Sequence, residues 1–325
     1  MHAVSTLEAG TVADAAVTPL DTVYLDGAFV STQEARVSPR AHALSYGTGT
    51  FEGMRAIWNE DVQELFLLEP LAHYERMARS AAALGLALPH TPAELIEITI
   101  DLLRRNDARA DTYVRPLLIL GGEALQVRMD GISTRFSITL SPFPANYIAT
   151  SGVRCLVSSW RRQRDDTLPI QAKVVGSYVG PALAKTEAVQ AGFDEAIMLN
   201  AHGYVAEATT SNLFIRRGGA WITPAPSEDI LEGITRREVI ELVEEELGEH
   251  VMERSVNRTE LYICEEALLC GTAVQVVPLL EVDRRSVGNG AAGERTLTLA
   301  AALLAISRRQ DQRHPEWTVP VWNGE

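Results

Sequence analysis

Apolar and polar positions recur along this chain in two periods, and the switches between them mark out its elements. "VQELFLL" (62–68), "TYVRPLLIL" (112–120) and "TRFSITLS" (134–141) are short runs rich in branched and apolar residues, which predicts strands. Leu71, Tyr74, Met77, Ala78, Ala81 and Leu84 instead recur at helical spacing, which predicts a helix over 69–85. "TPAE" (91–94) predicts the start of a second helix, with Thr91 as N-cap, Pro92 at the first helical position and Glu94 able to close a capping box. Further strands are predicted near 153–159, 196–200, 211–216 and 266–271, and helices near 180–191, 235–247 and 291–307. The chain shows no internal repeat and no low-complexity block.

Strands and helices thus alternate without a strict βαβ rhythm, which points to the α+β (mixed α/β) class. "SPFPANYIATSG" (141–152) has two prolines, a glycine and small polar residues, as expected of a connector between domains. The expected division is a loose Ala/Thr-rich extension over 1–20, a small N-terminal α+β domain over 21–141, a connector over 142–152 and a larger C-terminal domain over 153–307. The polar tail, 308–325, is expected to pack loosely. Two such domains meeting at a cleft make a common setting for a ligand pocket.

Composition excludes several classes. With 325 residues, 46% of them hydrophobic and 22% charged, the chain has ample material for a buried core. No apolar run reaches membrane-spanning length, and the start lacks the basic region and apolar core of a secretory signal. The net charge of −14 argues against nucleic acid or an anionic membrane as partner and favours a cytoplasmic protein. Any basic residue that meets an anion is therefore a local exception. Three cysteines without metal or redox spacing fit a reducing compartment. Seven histidines form no H-x-x-x-H pair, so no metal site is expected.

Against that background "PIQAKVVGSYVG" (169–180) stands out, with Lys173 its one charged residue and Tyr178 five places on. A lysine is ordinarily a solvated surface charge. An amine held in a partly apolar pocket can instead act as a nucleophile. Other stretches carry two readings each. In "ILEGITRREVIELVEEEL" (230–247), Ile234 and Thr235 open a periodic helix, either a plain capped start or a phosphate site. "CGTAVQVVP" (270–278) carries Thr272 and Ala273 in a turn that could form an anion nest or simply end a strand. In "YVAEATTSNLFI" (204–215), Glu207 is either a half-exposed edge residue or a buried carboxylate that requires a cation, such as a protonated ring nitrogen. Tyr46, Phe51 and Gly53 lie in a Gly-rich loop where backbone can approach a ligand. Strand periodicity puts Tyr113 and Arg115 on one face, with Arg115 suited to a carboxylate or to a structural ion pair. Arg76 either covers the core of its helix or meets a phosphate.

Together these candidates form the kit for pyridoxal 5′-phosphate and an amino acid. In order and residue type the chain resembles the class IV (fold-type IV) pyridoxal-phosphate transaminases, most of all the branched-chain amino-acid aminotransferases. The resemblance runs from about Val23 to about Leu304 and is strongest in "EATTSNLF" and the following "LEGITR". It implies a two-domain enzyme with the cofactor in the cleft and Lys173 as the residue bound to it covalently. Tyr178 would lie near the cofactor oxygen, and Glu207 would partner the pyridine nitrogen. Arg76, Ile234, Thr235 and Thr272 match phosphate-binding positions. Tyr46, Phe51, Gly53, Tyr113, Arg115, Tyr147, Thr272 and Ala273 match substrate-pocket positions. A homodimer is implied as well, with a ping-pong transfer of amino groups from branched-chain or other hydrophobic L-amino acids to 2-oxoglutarate.

Besides Trp221, which stands before "ITP" where an aliphatic residue is usual, two places depart from the pattern: the loop "GGEALQVRMDGIST" (121–134), and Gln275 where an acidic residue is common. Such changes would suit a specialised substrate, an (R)-amine, a D-amino acid or an unusual amino acid. A 4-amino-4-deoxychorismate lyase and a catalytically silent binding relative are the remaining alternatives.

Overall fold

A computed structural model describes residues 20–143 and 151–323. The described residues form two sheets. The first is antiparallel and runs in the order Thr318–Pro320, Glu64–Leu68, Met54–Asn59, Thr112–Leu120, Thr134–Pro142, Thr22–Leu25, Ala28–Ser31, with Gly49–Phe51 also paired to Thr112–Leu120. The second is mixed, in the order Val205–Ala208, Glu195–Leu199, Val153–Arg161, Gln275–Val282, Glu266–Gly271, Asn212–Arg217, Ala220–Thr223, Val251–Glu253. Among the described residues six α-helices accompany them: α1 (His42–Tyr46), α2 (Pro70–Ala83), α3 (Pro92–Arg105), α4 (Val179–Gln190), α5 (Ile234–Leu247) and α6 (Glu294–Ser307).

Each half buries its own core. Met54, Leu65, Leu67, Val114 and Leu118 of the first sheet pack with Tyr74 and Met77 of α2 and Leu95, Leu102 and Leu103 of α3. The second sheet is covered on both faces. Leu213 and Ile215 belong to one cluster, while Phe214 between them packs with Val239 and Leu242 of α5 and Leu299 and Leu303 of α6. That double burial is why "NLFI" reads as a continuous apolar run rather than an alternating one.

The predicted capping box forms at α3: Thr91 Oγ1 accepts from the Glu94 N–H, and Glu94 Oε2 accepts from the Thr91 N–H at 2.8 Å. On α2 the spacing holds for Tyr74, Met77 and Ala81, all fully buried, but Leu71 faces outward and His73, Arg76 and Ser80 face inward. The inner face carries polar residues because it borders the cleft described below. The sequence pattern predicts no strand at Thr22–Leu25, Ala28–Ser31, Gly49–Phe51, Met54–Asn59, Val205–Ala208, Ala220–Thr223, Val251–Glu253 or Gln275–Val282. The extension 1–20 lies outside the described residues except for Leu20, and the connector does so over 144–150.

The tail departs from expectation. Rather than packing loosely, Thr318–Pro320 adds an edge strand beside Glu64–Leu68, with Val319 opposite Leu67. Trp317 and Val321 are buried, and the Glu64 carboxylate accepts the backbone N–H groups of Val321, Trp322 and Asn323. Its polar residues and two prolines hid a short alternation of apolar residues, and an edge strand tolerates a proline.

Candidate active site

Lys173 lies in an extended link just before a single 3₁₀ turn, Val175–Tyr178. Its backbone is stitched to the other half of the molecule. The Lys173 N–H donates to Ser80 Oγ of α2 at 3.0 Å, and its carbonyl accepts from the Phe51 N–H at 3.2 Å. The side chain is half-buried. Its Nζ donates to Tyr178 Oη at 2.7 Å and stands 4.9 Å from the centre of the Phe51 ring. Phe51 and Tyr178 meet edge to face at 4.7 Å. The amine is thus held by one hydroxyl between two aromatic rings.

Glu207 is buried, on the strand Val205–Ala208. Arg162 Nη2 lies 2.8 Å from its Oε1, and Oε2 accepts from Asn212 Nδ2 at 3.0 Å and the Leu231 N–H at 3.2 Å. Burial raises its affinity for a proton, and the Arg162 guanidinium pulls the other way. A carboxylate has about four acceptor sites, so these three contacts leave one for a further donor.

The helix α5 begins at Ile234, with Gly233 as N-cap and no side-chain cap. Its first N–H groups and its dipole therefore face the cleft without a protein partner supplied by a capping side chain. Gly233 is required by close approach, since a Cβ there would lie 2.0 Å from Asn212 Oδ1. Arg76 reaches the same corner from α2. Its Nε and Nη2 donate to the two oxygens of Glu52 at 2.7 and 2.8 Å, and its Nη1 donates to the Glu232 carbonyl at 3.0 Å. His73 Nδ1 lies 2.8 Å from Glu52 Oε2. Burial works against the Glu52 charge, but Arg76 and His73 hold its carboxyl well below the usual range.

On the opposite wall, Arg115 Nη2 donates to Tyr113 Oη at 2.9 Å, and the guanidinium lies 4.7 Å from the centre of the Phe51 ring. The two residues share a face, as the strand period requires. Gly53 makes room for Tyr113, whose hydroxyl oxygen lies 2.0 Å from where a Cβ would be. Thr272 and Ala273 sit in the turn joining Glu266–Gly271 to Gln275–Val282.

Lys173, Tyr178, Glu207, Arg76, Ile234, Thr235, Thr272, Ala273, Phe51, Gly53, Tyr113 and Arg115 all line one cleft of about 220 Å³. Tyr46 does not: its hydroxyl donates to the Leu125 carbonyl at 2.8 Å and its ring lies against His42. Tyr147 lies outside the described residues. Sequence reasoning missed Arg162, Asn212, Glu52 and His73. Arg162 is hidden in the charge run "RRQRDD", and nothing local distinguishes Glu52 in "FEG" from a surface acid. Among the described residues, no cluster of His, Cys, Asp and Glu could hold a metal ion, and no helix is long and apolar enough to cross a membrane. The three cysteines are free and buried.

The chain belongs to the class IV aminotransferases, whose family model, Amino-transferase class IV, matches residues 49–282. Within the class its similarity is to branched-chain enzymes. It is 42% identical over 305 residues to a probable branched-chain-amino-acid aminotransferase of Aquifex aeolicus, covering 94% of this chain and 98% of that one. The branched-chain aminotransferase of Thermoproteus uzoniensis, solved with norvaline, superposes with a TM-score of 0.88 at 37% identity, over 93% of this chain and 99% of that one. The enzyme of Thermobaculum terrenum, solved in its PLP (holo) form, gives 0.89 at 33% identity with the same coverage.

Proposed function

We propose that the protein is a pyridoxal 5′-phosphate-dependent aminotransferase that moves the amino group of branched-chain L-amino acids to 2-oxoglutarate. The observation that carries this is the Lys173 amine, held at 2.7 Å by Tyr178 in the same cleft as the arginine-paired Glu207.

The residues present fit the cofactor. The N-terminus of α5, with Thr235 and the nearby Thr272, suits a phosphate, and the fourth acceptor site of Glu207 suits a ring N–H. Lys173 suits a covalent bond to an aldehyde. When bound, pyridoxal 5′-phosphate supplies that aldehyde and an electron-withdrawing ring. With the cofactor bound, Lys173 Nζ, once free, would take the proton from the substrate α-carbon as general base and, as general acid, deliver it to the former aldehyde carbon, so that the amino group stays with the cofactor. Tyr178 Oη holds the amine in place between these roles. Glu207, whose charge burial opposes and Arg162 supports, would accept a proton-bearing ring nitrogen. Phe51 and Tyr113 offer apolar surface to an aliphatic side chain. Arg115 retains unused donors for a carboxylate of 2-oxoglutarate.

The exposed Leu44, Leu125 and Val127, on α1 and in the loop after Leu120, suit contact with a second copy, which would make the working unit a homodimer. The sparse, unpaired cysteines and net charge of −14 suit the cytoplasm.

Borohydride reduction of the cofactor-loaded protein, digestion and mass spectrometry should place the pyridoxyl label on Lys173. Lys173→Ala should lose the label and all turnover. Half-reactions with L-Leu, L-Val, L-Glu, D-Ala and an (R)-arylamine should favour the first three, and Arg115→Ala should slow 2-oxoglutarate more than leucine. A label elsewhere, or faster conversion of D-Ala or the arylamine, would overturn the reading.

A further inference from the structure

Behind the N-terminus of α5 lies a second, smaller cavity of about 20 Å³. It shares Ile234, Thr235 and Thr272 with the main cleft, so these three residues form the partition between the two. On the far side of the partition stand Glu238, one turn along α5 from Ile234, and Gln275, which enters the turn's closing strand with φ of 53°. Gln275 is 92% buried, and its Nε2 has no hydrogen-bond partner although it borders the cavity. The space exceeds the ~10–15 Å³ one water needs, and a water there would join the Gln275 amide to neighbouring acceptors.

Glu238 is itself 7% exposed. The groups that act on it are Glu69 at the N-cap of α2, Arg237 and Glu241 on its own helix, and the hydroxyl of Thr235, and the buried Cys270 thiol of the strand Glu266–Gly271 feels its charge in turn. His73 of α2 lines the same cavity. Arg237 is engaged by Glu69, and Glu69 also faces Glu241 and Glu316, so the surroundings are more acidic than basic. Burial and the Glu69 charge push the Glu238 carboxyl up to about 8. That direction favours the uncharged acid at neutral pH.

We propose that Glu238 is a protonation-dependent back wall of the anion site at the start of α5: protonated, it lets the partition hold a phosphate dianion, and ionised, it drives the dianion off. The reason is electrostatic. A helix N-terminus offers about half a positive charge, which one anion uses. A carboxylate on the other side of the same partition competes for it and repels the ligand through a poorly screened interior. Anion binding and proton retention by Glu238 are then linked.

The inference rests on the phosphate reading of this site, and sulfate tests the two separately because it stays a dianion across the range used. Sulfate binding to the full-length chain is measured by calorimetry at pH 7.5 and pH 9, alone and in competition with pyridoxal 5′-phosphate. The wild type should lose roughly tenfold in affinity over that interval, as expected for one required proton with a pKa near 8. Glu238→Gln should lose much less, and Glu238→Thr provides the same comparison should the glutamine variant misfold. In the wild type at pH 8.5, paired buffers of different ionisation enthalpy should report most of one proton taken up per sulfate bound. Parallel losses in wild type and variants, or no proton uptake, overturn the role of Glu238 and leave the phosphate site standing. Failure of sulfate to compete with pyridoxal 5′-phosphate at pH 7.5 takes down both.

Discussion

Burial raises the proton affinity of Glu207, and only its partners work against that. Its Oε1 depends on Arg162, and Arg162 in turn donates through Nε to the Asp229 carbonyl at 3.1 Å. Removing one member of a buried pair strands the other, at a cost of about 3–5 kcal/mol. Arg162→Met should therefore destabilise the fold by about that much at neutral pH. The sign of its pH dependence follows from the proton. Without Arg162, burial raises the Glu207 carboxyl further, while in the unfolded chain it still ionises in the ordinary carboxylate range. The penalty is then small in acid, where both states are protonated, and grows as pH rises above that range. Urea denaturation at pH 4.5 and pH 8 measures this, and adding Glu207→Gln should recover part of the loss at pH 8. An equal loss at both pH values would mean that Arg162 acts by packing alone.

At the scale of elements, the site depends on how closely the start of α5 approaches the strand Asn212–Arg217. Gly233 makes that approach possible, and Asn212 Nδ2 spans it by donating to both Glu207 and the Leu231 carbonyl. The φ of Gly233 is −71°, so an alanine meets no backbone strain there, only the Asn212 side chain. Gly233→Ala should cost roughly 1–3 kcal/mol as overpacking. In an Asn212→Ala background most of that penalty should vanish, and a double-mutant cycle by chemical denaturation reads the coupling. The same junction shows what sequence can and cannot reveal. The start of α5 at Ile234 is legible because its periodicity begins after a glycine, and Lys173 is legible because a lone charge sits in an apolar stretch. Tyr113 and Arg115 follow from the two-residue strand period. Arg162, Glu52 and His73 are not legible, because each acts on a partner 21 or more residues away and carries no local signature. The strand Gln275–Val282 lies in the middle of its sheet, yet its proline and mixed pattern masked it.

The whole molecule is held across its two halves by the segment most easily dismissed, the tail. Trp317 packs in the core formed by α5 and α6, while Val321, four residues on, packs in the core of the first sheet. Between them Thr318–Pro320 extends the first sheet, and the Trp317 carbonyl accepts the Glu69 N–H at 2.7 Å at the start of α2. Farther back, Asn59 Nδ2 donates to the carbonyl of Arg308 just after α6. The cleft lies between the elements this strap ties together, so its width depends on the tie. Trp317→Ala removes the anchor in the second half and should cost about 3–5 kcal/mol, as expected for a large buried aromatic. Val321→Ala removes a smaller anchor in the first half and should cost less. Loss of the strap should also uncouple the halves, because each keeps its own hydrophobic core. A chain ending at His314 should unfold in two calorimetric transitions where the full-length protein shows one, and should bind pyridoxal 5′-phosphate more weakly even though no cleft-lining residue has been changed. A single transition with unaltered cofactor affinity in the shortened chain would show that the two cores and the contacts around Lys173 suffice to hold the cleft together.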